Sequence, residues 1–183
     1  MQILTRTIAL LACLSLSVQG WAQSAPAIDA PRDATPATKA VLAEAERNLP
    51  PENGQDFEFA QRGFIATWPE GVIKKANGTP SFDLTGNDFI TGAAPDTVHP
   101  SLWRQNRMLG HEGLYKVTDG LYQVRNFDNS NVSFIETPSG WIVIDPLTVS
   151  EVAAAAWQLL RTHVADKPIL AVIYTHTHTD HFA

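Results

Sequence analysis

The sequence predicts an α/β fold in which a sheet and a helix position a loop of histidine and aspartate side chains. Three observations carry this reading. From Gly113 onward, short runs rich in β-branched residues alternate with turn residues. An amphipathic stretch, Val149 to Val164, follows them. A further apolar run, Ile169 to Tyr174, then leads directly into a cluster of metal-ligand residue types.

The 183-residue chain is 44% apolar and 17% charged, with a net charge of -6. That is the composition of a globular protein with enough length to bury one core. No Lys/Arg run exceeds Lys74-Lys75, so nothing in the charge pattern suits a phosphate backbone, and nucleic acid is not expected as a partner. Cys13 is the only cysteine, so any metal site in a processed chain must use His, Asp and Glu.

The first residues read as an address. Arg6 precedes an apolar stretch from Ile8 to Val18, and Gly20-Trp21-Ala22 offers a small-x-small cleavage site. A signal peptide over 1–22 is expected, with the mature chain beginning near Gln23 in a periplasmic or secreted location. The apolar stretch is short for about 30 Å of hydrocarbon, so no stable membrane insertion is expected after cleavage. A lipoprotein site at Leu10-Leu11-Ala12-Cys13 is the second reading.

Residues 23–36, rich in Ala, Pro, Ser and Asp, are expected to form a flexible lead. Residues 37–112 then read as a helical and irregular arm. Within it, Thr38 to Leu49 has apolar residues at Val41, Leu42, Ala45 and Leu49 and stops at Pro50-Pro51, which predicts a helix. A second helix is expected from Gln55 to Ala66, and Gly and Pro break residues 67–112 into short elements. From 113 to 183, Leu114–Val117 and Leu121–Arg125 form a predicted hairpin around Asp119-Gly120. Val132–Glu136 and Trp141–Ile144 should pair across Thr137-Pro138-Ser139-Gly140. The helix Val149–Val164 has Ser150 as candidate N-cap and a packed face of Val152, Ala156, Leu159 and Leu160, and Ile169–Tyr174 is expected as a buried strand.

The segment that carries chemistry is Tyr174-Thr175-His176-Thr177-His178-Thr179-Asp180-His181, which holds three of the six histidines. Such a cluster arises by chance on the order of once in ten thousand chains of this size. On an extended segment, His176 and His178 project to one side and can share a metal. Asp180 and His181 fall where the chain should turn, within reach of a neighbouring ion. Imidazole and carboxylate without thiolate favour zinc in an open, catalytic site, with manganese, iron or cobalt as alternatives. The plain alternative is a polar loop whose histidines bond one another or solvent. A second is the two-histidine, one-carboxylate site of non-haem iron oxygenases, which needs only His178-x-Asp180 and one more histidine but belongs to a different fold context.

His176-x-His178-x-Asp180-His181 resembles the ligand motif of the metallo-β-lactamase superfamily. Within it the sequence is most similar to the alkyl sulfatases, through Ala94-Pro95-Asp96-Thr97-Val98, Pro100-Ser101-Leu102-Trp103-Arg104-Gln105, Gly120-Leu121-Tyr122-Gln123-Val124-Arg125 and Trp141-Ile142-Val143-Ile144-Asp145-Pro146-Leu147. The resemblance implies the N-terminal half of an αββα sandwich. It also implies two Zn²⁺ ions, the first on His176 and His178 and the second on Asp180 and His181, with a hydroxide between them as nucleophile. The implied substrate is an alkyl sulfate ester such as dodecyl sulfate, cleaved to alcohol and sulfate. The family continues downstream with glutamate and histidine ligands and with regions through which a homodimer could form. The chain therefore reads as part of a longer parent enzyme and is expected to be inactive alone. Other branches of the superfamily, acting on other esters or on lactams, are the alternative, as is an inactive metal-binding fragment. His99 stands where the family is expected to have Asn.

Outside the motif, Trp68, Trp103, Trp141 and Trp157 are assigned to core packing rather than to an alkyl channel. Arg104 and Arg107 could hold an oxyanion, but structural ion pairs are the expected role. Asp128 and Asn131 are expected to bond loop backbone. His99, His111 and His163 are treated as ordinary histidines. No Cys/Ser-x-Pro-x-Arg string occurs, which excludes formylglycine chemistry.

Overall fold

A mixed six-stranded sheet, in the order β1-β4-β5-β6-β7-β8, organises the computed structural model, which describes residues 32–183. The expected signal peptide and most of the expected flexible lead lie outside the described residues. The strands are β1 (Phe64–Ala66), β4 (Gly113–Thr118), β5 (Leu121–Arg125), β6 (Val132–Glu136), β7 (Trp141–Ile144) and β8 (Ile169–Ile173). A separate hairpin pairs β2 (Val72–Lys74) with β3 (Pro80–Asp83). Four helices complete the fold: α1 (Pro36–Asn48), α2 (Gln55–Gln61), α3 (Pro100–Leu109) and α4 (Ser150–His163).

The two predicted hairpins form as read. Leu114 lies opposite Val124, Val124 opposite Val132, and Phe134 opposite Val143. Cross-strand partners share a face, so these residues line up on one side of the sheet. There they make one core with Val152, Ala155, Ala156, Leu159 and Leu160 of α4. Burying each large side chain contributes about 1.5–3 kcal/mol relative to exposure, so this cluster holds α4 against the sheet. Ile73 of β2 and Leu84 join the same core, and β1 pairs with β4. The arm and the sheet thus share one hydrophobic interior. Residues 33–183 are one compact unit.

Several expectations need correction. The segment read as one helix from Gln55 to Ala66 splits, with α2 ending at Gln61 and Phe64–Ala66 forming β1. Gly63 causes the break: its φ is +80°, and a Cβ there would meet the Lys116 carbonyl oxygen at 2.2 Å. The close approach serves pairing, since Lys116 N–H donates to Gly63 O at 2.7 Å. Gly63→Ala should therefore lower stability by about 2–4 kcal/mol through combined backbone strain and displacement of β1. Urea unfolding measures this, and a midpoint equal to that of the unsubstituted chain would show the approach to be incidental.

The arm also contains a regular helix that its Gly and Pro content concealed. Pro100 occupies the first turn of α3, where its missing N–H costs nothing. His99 caps that helix, with Nδ1 accepting from Ser101 N–H at 3.3 Å. This accounts for histidine where asparagine is expected, because either side chain presents an acceptor to the first turn. At α4 the N-cap is Val149 rather than Ser150, and no side chain caps it. Finally, β8 is not buried: Ile169, Leu170, Val172 and Ile173 are exposed, so side chains on both of its faces stay open, and among the described residues it pairs with β7 alone.

Candidate metal centre

β7 and β8 run parallel, with Ile144 beside Ile173, so their carboxyl ends emerge at the same edge of the sheet. Ligand sites of α/β sheets favour such an edge. Asp145 follows β7 and Thr175 follows β8, and the two residues join the edges. The Asp145 carboxylate accepts Thr175 N–H at 2.8 Å and the Thr175 hydroxyl at 2.7 Å. Asp145 is 8% exposed and has φ of +53°, and fully buried Leu147 has φ of +73°. Two left-handed residues around Pro146 hold the turn in a costly conformation, of the kind that persists only when surrounding contacts enforce it. Burial opposes ionisation of Asp145. The Thr175 N–H, the Thr175 hydroxyl and the His181 ring outweigh it and hold the carboxyl below the ordinary carboxylate range.

The four ligand-type residues nominated from the sequence lie together. His176 and His178 follow β8 on exposed chain that bends over Thr175–Thr177, not on the extended segment expected, and their rings are 4.6 Å apart. Asp180 and His181 sit in a short 3₁₀ turn, Thr179–His181, which brings the His181 ring within 4.3 Å of that of His176. His181 Nε2 lies 3.4 Å from Asp180 Oδ2 and Nδ1 lies 3.2 Å from Asp145 Oδ2.

The hydrogen bonds assign proton positions. Thr175 Oγ1 donates to the carboxylate, so its contact with His176 Nδ1, 2.9 Å away, has the imidazole N–H as donor. His176 Nε2 then carries a lone pair, and it faces His178 Nδ1 at 2.9 Å. Asp145 thereby sets the tautomer of a histidine it does not touch, the arrangement by which carboxylates orient metal-ligating imidazoles.

These residues fit a metal ion in part. Two nitrogens held tetrahedrally at about 2.0–2.1 Å from zinc stand about 3.3 Å apart, so His176 Nε2 and His178 Nδ1 need little movement to share one. His181 Nδ1 is a buried ring nitrogen with no well-directed hydrogen-bond partner. Among the described residues, however, no three His, Cys, Asp or Glu side chains surround a single point as a ligand set. The side chains instead form a chain of contacts, His178 to His176 to His181, with the His181 ring also beside the Asp180 and Asp145 carboxylates.

Residues 125–183 match the Metallo-beta-lactamase superfamily. The chain is 42% identical over 175 residues to the linear primary-alkylsulfatase of a Pseudomonas species, covering 94% of this chain and 25% of that protein. It is 36% identical over 152 residues to an alkyl/aryl-sulfatase of Saccharomyces cerevisiae, covering 82% of this chain and 24% of the relative. The solved structure of the inverting sec-alkylsulfatase Pisa1 from Pseudomonas superposes with a TM-score of 0.76 at 44% identity, over 82% of this chain and 24% of that one. The chain is similar to one part of alkylsulfatases, and within it residues 125–183 match the metallo-beta-lactamase superfamily. It spans about a quarter of the length of the curated relatives it matches.

Other sequence-nominated residues fall as follows. Arg104 pairs with Asp56 at 2.7 Å and Arg107 with Glu52 at 3.5 Å, tying α3 to the segment around α2. Trp141 is fully buried, Trp68 and Trp157 pack on the core, and Trp103 donates Nε1–H to Gly92 O at 3.1 Å. Asp128 accepts Ser130 N–H and Thr148 N–H, and Asn131 Oδ1 accepts Asn126 N–H. His111 bonds Gln61 at 2.9 Å, and His163 lies in the last turn of α4. Sequence reading did not nominate Asp145, Thr175 or Ser130. The only available signal for Asp145 was an acidic residue ending an apolar strand.

Proposed function

We propose that this chain supplies the first metal-binding motif of a zinc-dependent hydrolase that cleaves alkyl sulfate esters to alcohol and sulfate. The observation that supports it best is the gathering of His176, His178, Asp180 and His181 at the shared carboxyl edge of β7 and β8. The alkylsulfatase names of the relatives supply the substrate class. His176 and His178 hold one zinc, and Asp180 and His181 hold part of the coordination of a second. Bound zinc supplies Lewis acidity and makes water acidic enough to attack near neutral pH. The chain's own residues orient the ligands, with Asp145 setting the tautomer of His176 through Thr175. Activity belongs to the whole protein, exported through residues 1–22 to the periplasm or outside. Among the described residues no helix is long and apolar enough to cross a membrane.

The test is sulfate release from dodecyl sulfate by the zinc-loaded whole protein. Turnover that is lost on chelation and restored by zinc is expected. Turnover of lactams, lactones or phosphodiesters without sulfate release would move the protein to another branch of the superfamily.

A further inference from the structure

The 3₁₀ turn that carries Asp180 and His181 is too short to position itself. Its internal hydrogen bond is His181 N–H to His178 O, at 3.1 Å. A second restraint comes from a distant part of the chain: the Ser130 hydroxyl donates to the main-chain carbonyl of Asp180. These two bonds grip opposite edges of one peptide group, since the Asp180 carbonyl and the His181 N–H belong to the same planar unit. Pinning both edges sets the plane's orientation, and with it ψ of Asp180 and φ of His181. The directions in which the two side chains leave the backbone follow from those angles.

Ser130 is itself held. It is 7% exposed in the loop between β5 and β6, and its N–H donates to Asp128 Oδ1 at 3.0 Å. The other oxygen of that carboxylate accepts Thr148 N–H at 2.8 Å, in the loop that follows β7. Asn131 Oδ1 accepts Asn126 N–H at 3.2 Å and braces the base of the same loop. One carboxylate therefore ties the β5–β6 loop to the β7–α4 loop, and through Ser130 to the turn after β8. The His178 carbonyl takes part in this clamp through the turn's internal bond, whereas the His176 and His178 rings lie outside it. The His176 ring depends on Thr175 and through it on Asp145, and the His178 ring meets His176.

We propose that Ser130 is a positioning residue for the Asp180–His181 half of the metal centre, and that Asp128 holds Ser130 in place. The proposal rests on the reading of Asp180 and His181 as metal ligands. It predicts that the two halves of the centre respond separately to loss of the clamp.

The experiment is zinc and cobalt titration of the whole protein, comparing the unsubstituted form with Ser130→Ala, Ser130→Thr and Asp180→Ala. Ser130→Ala should weaken the second metal equivalent by about tenfold to a hundredfold, the range found when outer partners of metal ligands are removed. The first equivalent should be little changed. The cobalt absorption of the second site should change with it, and Ser130→Thr, which keeps the hydroxyl, should restore both. Amide hydrogen exchange at His181 in the metal-free protein should be faster in Ser130→Ala than in Ser130→Thr. If Asp180→Ala loses the second equivalent while Ser130→Ala binds both like the unsubstituted protein, the clamp is not a positioning device. If Asp180→Ala also keeps both equivalents, the assignment of the second site is wrong and the proposal falls with it. Equal weakening of both equivalents by Ser130→Ala would indicate general loosening of the fold and would likewise overturn it.

Discussion

Asp145→Ala should lower the stability of the chain by about 2–4 kcal/mol and weaken zinc binding by about tenfold to a hundredfold. The carboxylate accepts the Thr175 N–H and hydroxyl and approaches the His181 ring, in a position 8% exposed. Truncation removes the acceptor of the part-buried Thr175 N–H, and a donor left without its partner costs about 1–3 kcal/mol. The Thr175 hydroxyl also becomes free to donate to His176 Nδ1. That would favour the tautomer with its proton on Nε2, the nitrogen that faces His178. Asp145→Asn should fall between the two, because an amide offers one acceptor and turns an N–H₂ toward the other donor. Chemical denaturation and competitive zinc titration measure the two effects. Zinc affinity unchanged in Asp145→Ala would remove Asp145 from any role in orienting the ligands.

His178→Ala should reduce the zinc affinity of this chain by about tenfold or more, and Asp180→Ala by no more than about twofold. His176 Nε2 and His178 Nδ1 already face each other at 2.9 Å, so one ion can use both with little rearrangement. Asp180 makes its contact with His181, 3.4 Å away, and no third His, Cys, Asp or Glu among the described residues completes a set around either pair. A pair that still needs partners contributes little affinity by itself. Isothermal titration with zinc discriminates the cases. Equal losses in the two variants would mean that the motif serves a single ion.

Local pattern made much of the sheet legible. Leu121–Arg125 and Val132–Glu136 alternate and carry turn residues at their ends, and both appear as strands with those bounds. The packed face of α4 is also recovered, because Val152, Ala156, Leu159 and Leu160 recur at helical spacing and are all buried. The arm resisted the same treatment. Phe57, Phe59, Phe64 and Ile65 read as one apolar stretch, but the chain turns between them at Gly63 so that Phe64–Ala66 can pair with β4. α3 was hidden among Gly and Pro residues, although Pro100 after a capping side chain is a helix start. A continuous apolar run at Ile169–Ile173 reads as a strand covered on both faces, and sequence pattern does not reveal that it has one neighbour.

The candidate centre divides in the same way. Residue type and spacing by themselves marked His176, His178, Asp180 and His181 as a ligand-type cluster beyond a strand, although the two rings meet across a bend at Thr175–Thr177 rather than by the i, i+2 geometry of extended chain. Their supports are the work of tertiary structure alone. Asp145 meets Thr175 across 30 residues of sequence, and Ser130 meets Asp180 across 50. Neither separation has a period that a helix or strand could impose. Asp145 reaches Thr175 because β7 and β8 run parallel in matched register with α4 crossing between them. Ser130 reaches Asp180 because the β5–β6 loop and the turn after β8 lie close together in the folded chain, where one hydroxyl spans them.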